Sequence, residues 1–343
     1  MNISHDDPLQ LIDDEGLLDC MMEDLGATDR VYQPTNYWSL YEKPVIEELR
    51  KHGLHDFRRR KNTTLQHFSE SEVIRLSAPV VLTKVRFLYN RLTWKIPGWP
   101  WILKKISEWL TENAMGDPPY DIDRSSAHLL ISQYIVSMSE RFDGVPITDL
   151  SCSLMGNPED IIEIGGKPYT HSFLSHYLRY LYLSRFVRFS DYDYIVELGS
   201  GMGQFAEILH QISSEVTIVL FDIAPSLYVG DRFLSKTFPE HCINYLETRN
   251  WTNLDKITAG KIYFFSTGSF PLITELTNNL FINCASFQEM EPDVVKNYLS
   301  FANQSSKSIY LRQNFNGKAE ASSAGLPGVL KSTVMSDYLE ALS

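Results

Sequence analysis

Two acidic side chains and three closely spaced glycines are the residues of this 343-residue chain whose types and spacing point most directly to chemistry. Glu197 comes two residues before Gly199, and glycine recurs at Gly201 and Gly203. Asp222 follows 19 residues after Gly203. Glycine adopts positive φ and lets a ligand approach the backbone where a Cβ would block it, while carboxylates accept hydrogen bonds from a ligand. Together they predict a cofactor pocket.

The residues around these glycines predict a buried strand before the loop and a helix after it. Tyr194, Ile195 and Val196 are apolar or β-favouring, which is typical of a strand that ends near Glu197. Beyond the loop, apolar residues recur at i, i+3, i+4 and i+7, the stripe of a helix packed on a sheet. These are Phe205, Ile208, Leu209 and Ile212.

The spacing of the glycines separates two cofactor classes. A dinucleotide-binding loop has the pattern GxGxxG, but here the sixth position is Gln204 and the third glycine comes one residue early. A pyrophosphate gains from helix N-terminal amides, and Glu197 directly before the loop works against it. The ammonium, sulfonium and ribose hydroxyls of S-adenosylmethionine suit such an acid. This cofactor is therefore favoured over NAD.

Asp222 supports an adenosine ligand without choosing between the two classes. It follows the unbroken apolar run 216–221, where an acid can accept hydrogen bonds from both ribose hydroxyls. The alternative is a helix cap, since Pro225 and Ser226 open the next helical stretch. We favour the ligand role because the glycine loop lies upstream.

With these residues in place, the chain resembles a known family. GxGxG after an acid is similar to motif I of the class I S-adenosylmethionine-dependent methyltransferases, and the wider run resembles the sugar O-methyltransferases of bacterial polysaccharide and secondary-metabolite clusters. The resemblance covers residues from about 160 to 315. It is carried by YLRYLYLSRF (177–186), IVELGSGMGQF (195–205), FDIAPSL (221–227) and FINCASFQEM (281–290).

The resemblance implies S-adenosylmethionine as cofactor and a set of residues that contact it. These residues lie in the glycine loop and at the ends of the predicted strands, and Ser266 and Thr267 are expected to border the adenine. The expected cofactor-binding residues are Glu197, Gly199, Ser200, Gly201, Gly203, Gln204, Asp222, Ile223, Ser266, Thr267 and Asn283.

A proton acceptor is expected among residues near the methyl group. In the family, the loop after the fourth strand faces the methyl group, which makes Glu289 the leading candidate. The alternative role for Glu289 is that of an acid stabilised by the dipole of the helix that begins at Pro292. His171 is the second candidate, and it is favoured over His176 because it lies nearer a loop. A histidine on so apolar a helix is more often a core residue.

The order of elements predicts an α/β fold with a doubly wound, mostly parallel sheet, Rossmann-like in the manner of class I methyltransferases. Residues 1–150 are expected to form a mainly helical region that covers the pocket and selects the acceptor, and 151–343 the cofactor-binding domain. The expected strands are 194–198, 216–221, 261–265, 279–284 and 308–312, and the expected helices are 203–213, 226–238 and 292–302.

The amino-acid composition limits the classes of ligand and partner that the protein is expected to bind. The net charge of −12 argues against a nucleic-acid substrate. The basic run 58–61 is expected to be a solvated face, and the alternative is contact with an anionic sugar nucleotide. Four scattered cysteines show neither disulfide nor metal spacing, and no cluster of ligands predicts a metal.

The sequence also leads to expectations about the cellular location and the oligomeric state of the protein. No signal peptide is apparent, so a cytoplasmic location is expected. The aromatic stretch 80–110 is interrupted by lysines and arginines before it reaches the length of a membrane span, and amphipathic helices broken at Pro97 and Pro100 are expected instead. No membrane partner is expected, and a homo-oligomer is left open.

The expected reaction is O-methylation of a hydroxyl on a sugar or sugar-like small molecule. The first alternative is a methyltransferase of natural-product biosynthesis that acts on nitrogen or on a non-sugar hydroxyl. A nucleotide-binding oxidoreductase is disfavoured by Gln204, and a non-catalytic scaffold by the intact glycines and Asp222.

Overall fold

The computed structural model describes residues 9–60, 65, 124–142, 144–159 and 161–343. The expected helices of 80–110, their breaks at Pro97 and Pro100, and Lys61 of the basic run lie outside these residues. Among the described helices, none has both the length and the apolar character to cross a bilayer.

Two compact units divide the chain, one of residues 1–71 and 136–343 and the other of residues 72–135. Of the second unit, only 124–135 are described. The N-terminal helices α1 (Glu15–Ala27) and α2 (Asn36–His52) belong to the first unit. Helix α3 (Arg124–Phe142) follows. The boundary expected near residue 150 stays a prediction.

A short antiparallel hairpin precedes the main sheet. It pairs β1 (Ile161–Ile164) with β2 (Lys167–Thr170) around Gly165 and Gly166, and it was not among the expected strands. Helix α4 (His171–Leu183) follows without a break, because the Thr170 hydroxyl caps it by accepting a hydrogen bond from Phe173 N.

The main sheet has six strands, and every strand pair in it is parallel. Its strands are β3 (Tyr194–Leu198), β4 (Thr217–Asp222), β5 (Cys242–Ile243), β6 (Ile262–Ser266), β7 (Asn279–Cys284) and β8 (Ser306–Arg312). The spatial order is β5-β6-β4-β3-β7-β8. The strand order reverses at β3, so the sheet is doubly wound and the expected fold class is confirmed.

Helices connect the strands. The connecting helices are α5 (Gln204–Ile212), α6 (Ala224–Thr237), the single turn α7 (Tyr245–Thr248) and α8 (Pro292–Ser305), and helix α9 (Met335–Ala341) follows β8. Val196 and Leu198 of β3 pack in one core with Tyr298 and Leu299 of α8. Since side chains alternate along a strand, Ile195 and Glu197 point to the opposite face of the sheet.

The expected solvated basic face is wrong for Arg58. This side chain is fully buried and donates hydrogen bonds to Ser153 O (3.0 Å) and to the Thr170 hydroxyl (3.0 Å). Arg60 donates to the carbonyls of His52 and Gly53 at the end of α2. Backbone carbonyls thus stabilise the guanidinium groups of Arg58 and Arg60. A cluster of basic residues in the sequence does not reveal this role.

Candidate functional site

A cavity of about 260 Å³ lies at the carboxyl edge of the sheet, where its strand order reverses. Open α/β sheets bind ligands at this position. Strand ends and the loops after them form its floor, and the N-terminal part of α2 forms one wall. The lining residues are Tyr37, Trp38, Leu198, Gly199, Gly201, Asp222, Ile223, Ser226, Thr267, Cys284, Ala285, Ser286, Glu289 and Met290.

The glycine loop has the backbone conformation that its sequence predicts. Gly199 and Gly203 have φ of 76° and 80°, and Gly203 precedes α5 directly. A Cβ on Gly199 would collide with the Ser286 hydroxyl, and one on Gly203 with the Leu234 side chain. These two glycines therefore serve the protein's own close packing, besides leaving Gly199 at the cavity wall.

Asp222 ends β4 and lines the cavity. Its carboxylate accepts hydrogen bonds from Gly201 N (2.7 Å) and Ile223 N (2.7 Å). Burial raises the pKa of Asp222 to about 7, although these two bonds oppose the shift. The acid is thus tied to the glycine loop and is poised to change charge near neutrality.

Glu197 lies beneath the loop rather than in the cavity lining. It is buried on the face of the sheet that α4 covers, and burial raises its pKa to about 8 against the opposing charge of Arg179. Its Oε2 has no hydrogen-bond partner within the described residues. Direct contact of Glu197 with a cofactor stays a prediction.

For the cofactor that the sequence predicts, S-adenosylmethionine, affinity is expected to rise between pH 6 and pH 8. The folded-state pKa of Asp222 is raised to about 7, and only the ionised carboxylate accepts hydrogen bonds from two hydroxyls through both oxygens. Calorimetric titration with S-adenosylhomocysteine across this range measures the effect. A constant affinity, or one that falls with pH, would contradict an ionised Asp222 as the binding form.

Glu289 lines the cavity with both carboxylate oxygens engaged. Oε2 accepts a hydrogen bond from Trp38 Nε1 (2.8 Å), and Oε1 forms an ion pair with Lys318 Nζ (2.6 Å). The Lys318 ammonium also lies 3.4 Å from the centroid of the Tyr37 ring. The carboxylate is therefore held in a fixed orientation, and it connects α2 to the C-terminal segment. Its role as proton acceptor stays a prediction.

The segment before α2 crosses the carboxyl edge of the sheet and brings the aromatic residues at the start of α2 to the cavity. Tyr32 O accepts a hydrogen bond from the Thr267 hydroxyl (2.7 Å), and the Thr35 hydroxyl donates to Glu289 O (2.7 Å). We call residues 28–35 the strap. These bonds hold the start of α2 where Tyr37 and Trp38 line the cavity. The expected role of the N-terminal region in covering the pocket and selecting the acceptor stays a prediction.

Several residues of the site were not foreseen. Ala285 lines the cavity at φ 70°, a left-handed conformation that is uncommon outside glycine and that clusters at functional sites. Tyr37, Trp38 and Lys318 come from segments without a recognisable motif. Of these three residues, only Lys318 could have been anticipated, because a carboxylate such as Glu289 favours a basic partner.

Other expected cofactor residues do not line the cavity. Asn283 is fully buried and bonds to Leu198 O, Ser286 and Gln313, which ties β3 to the loop after β7. Gln204 is buried and accepts a hydrogen bond from Ser172. Ser266 and Ser200 also lie outside the lining, whereas Ile223 and Thr267 belong to it.

The histidines lie apart from the cavity lining. His171 is the first residue of α4 and is half-buried. His176 stacks on Phe205, and burial holds its pKa well below the usual value, which suits a neutral core residue. No group of three or more potential metal ligands occurs in the part of the chain that the structure describes.

Comparison with known proteins adds little. No protein-family model matches the chain, and no curated protein does. A solved structure described as "PigF with SAH" is similar over 66% of this chain and 68% of that chain, at 9% sequence identity and a TM-score of 0.28. A likeness this slight supports no conclusion about ligand or activity.

Proposed function

We propose that the protein is an S-adenosylmethionine-dependent methyltransferase. The observation that carries the proposal is the joint placement of Asp222 and the backbone of Gly199 and Gly201 around one cavity at the point where the strand order reverses. The hydrogen bond from Gly201 N to Asp222 couples the loop to the acid.

The described residues fit the adenosyl part of this cofactor. Asp222 would accept hydrogen bonds from the ribose hydroxyls, and the Gly199 and Gly201 backbone would let the ligand approach closely. Ile223 and Thr267 would border the adenine. When bound, S-adenosylmethionine supplies a methyl group already activated on a sulfonium. The protein's task is then to hold an acceptor atom in line with it.

The cavity is small for the proposed ligand. About 260 Å³ lies below the usual range of roughly 300–1,000 Å³ for small-molecule pockets. Tyr37 and Trp38 close one side, and Glu289 and Lys318 hold them there. We infer that the strap and the start of α2 shift to admit the ligand and then exclude water from it.

For the acceptor, we propose a hydroxyl of a sugar or a sugar-like small molecule. The resemblance of the sequence to sugar O-methyltransferases supports this choice, and so does an aromatic wall beside a carboxylate. Glu289 would take the hydroxyl proton, and Trp38 and Lys318 would keep its oxygens oriented. A positioned base of this kind adds about 10²-fold to 10⁴-fold to the rate.

Calorimetry tests the cofactor assignment. We expect S-adenosylhomocysteine to bind at one site per chain and NADH not to bind. Binding of NADH instead would favour an oxidoreductase, and binding of neither would favour a scaffold. Either result would reject the proposed function.

Glu289→Gln is expected to lower turnover by about 10²-fold to 10⁴-fold while cofactor affinity stays within about twofold, because the amide is nearly isosteric but cannot accept the proton. Single-turnover methyl transfer measures the rate. Asp293→Asn, an exposed acid in the first turn of α8, is the matched control. Full activity of Glu289→Gln would shift the assignment of the base to His171.

A further inference from the structure

A second and larger groove follows the edge strand β8. Its volume is about 910 Å³, and it is bounded by α4 on one side and by α9 on the other. The groove does not share a lining residue with the cavity at Asp222. Its size falls within the range of small-molecule sites.

The groove is polar at one end and apolar at the other. Arg179, Arg312 and Gln313 lie at the carboxyl end of the sheet, the edge that also holds the cavity. Leu183 and Phe186, from the end of α4 and beyond it, supply apolar surface away from those charges. A ligand that fits this groove has one charged end and an apolar body.

The charge of the groove is opposite to that of the protein. The chain carries a net charge of −12, yet the described lining residues include two arginines and no aspartate or glutamate. The Glu197 carboxyl, buried in β3, interacts electrostatically with Arg179 but does not line the groove. The polar end therefore favours an anion.

Arg179 is held in place. Its guanidinium carbon lies 5.1 Å from the centroid of the Phe205 ring, a cation–π contact that fixes the side chain. Its Nε is buried, with no hydrogen-bond partner among the residues that the structure describes. Arg312 is exposed at the end of β8. Guanidinium N–H groups donate paired hydrogen bonds to a carboxylate or a phosphate, so these two side chains favour a ligand with such a group.

Exposed apolar side chains flank the groove. Phe186 is 65% exposed and Leu339 is 64% exposed. The two arginines lie at one end of the groove, so its charge complements an occupant with a single acidic group. The surface therefore suits an apolar chain that ends in an acidic group.

We propose that this groove is a binding site for an anionic amphipathic small molecule, with its acidic head at Arg179 and Arg312 and its apolar body along β8 between α4 and α9. The site goes beyond the proposed methyl transfer, since nothing in it depends on which cofactor fills the cavity at Asp222.

Calorimetric titration of the full chain with decanoate and with decyl phosphate, both below micelle-forming concentrations, tests the proposal. We expect at least one of them to bind at one site per chain, and decyltrimethylammonium, which has the same tail, not to bind. Arg312→Gln should weaken binding about tenfold. Arg188→Gln, an exposed arginine outside the groove, should leave it unchanged.

Three results would overturn the proposal. They are no binding of either anion, equal binding of the cationic analogue, and unchanged affinity in Arg312→Gln. A dimer in sedimentation velocity that dissociates in Arg312→Gln would also reject it, because a second copy would then occupy the groove. No cofactor is present in these titrations, so they fail or succeed independently of the methyltransferase assignment.

Discussion

Replacing Asp222 with alanine is expected to weaken S-adenosylhomocysteine binding by roughly tenfold to a hundredfold. Asp222 lines the cavity and accepts hydrogen bonds from Gly201 N and Ile223 N. A hydrogen bond to a charged group contributes about 1.5–3 kcal/mol, so loss of the ribose contacts alone accounts for this range. Isothermal titration at pH 8, where the carboxylate is ionised, gives the dissociation constant directly.

Asp255→Ala is the matched control. Asp255 is an exposed acid in the loop before β6, outside the cavity lining, and its loss should leave the dissociation constant unchanged. Thermal unfolding of Asp222→Ala without ligand separates a binding effect from a folding defect. Wild-type affinity in a folded Asp222→Ala protein would exclude the ribose role and leave Asp222 as a loop-fixing residue.

Gly199→Ala is expected to destabilise the fold by about 2–6 kcal/mol and to abolish cofactor binding. Gly199 has φ of 76°, and its Cβ would collide with the Ser286 hydroxyl. A non-glycine residue in the left-handed region costs about 1–3 kcal/mol, and overpacking typically costs another 1–3 kcal/mol. Urea unfolding measures the change in the free energy of unfolding.

Gly166→Ala isolates the cost of the backbone conformation. Gly166 has φ of 78°, close to that of Gly199, but no atom lies within 4 Å of the position of its Cβ. We expect it to lose only about 1–3 kcal/mol. Adding Ser286→Gly to Gly199→Ala should recover part of the difference. Equal destabilisation of Gly199→Ala and Gly166→Ala would show that close packing against Ser286 does not require glycine at position 199.

The central strands of the sheet were predictable because their sequence is nearly continuous in apolar residues. Strand 279–284 was predicted with its observed bounds, and 194–198 likewise. These strands are buried on both faces, which imposes an unbroken apolar run on the sequence. Strand β5 was missed because two residues, Cys242 and Ile243, are too few to form a pattern.

The site was predictable only where the main chain defines it. Glycine spacing and an acid at a strand end are local signals, and they located Gly199, Gly201 and Asp222 at the cavity. The wall formed by Tyr37 and Trp38 depends on the Thr35 hydroxyl bond to Glu289, 254 residues away, which no local pattern reports.

Asn283 illustrates the opposite case. A polar residue at a strand end is predicted to face the ligand. In the structure both ends of the Asn283 amide are hydrogen-bonded, to Leu198 O, Ser286 and Gln313, and its contact with a cofactor stays a prediction. A buried amide must find partners, and the sequence does not reveal whether these partners belong to the protein or to a ligand.

A crystal structure of the protein with S-adenosylhomocysteine tests the central claim most directly. We predict electron density for the adenosyl group at the carboxyl edge of the sheet, with both ribose hydroxyls within 3.2 Å of the Asp222 carboxylate. Density at another place, or a ligand that leaves Asp222 bonded only to Gly201 and Ile223, would contradict it.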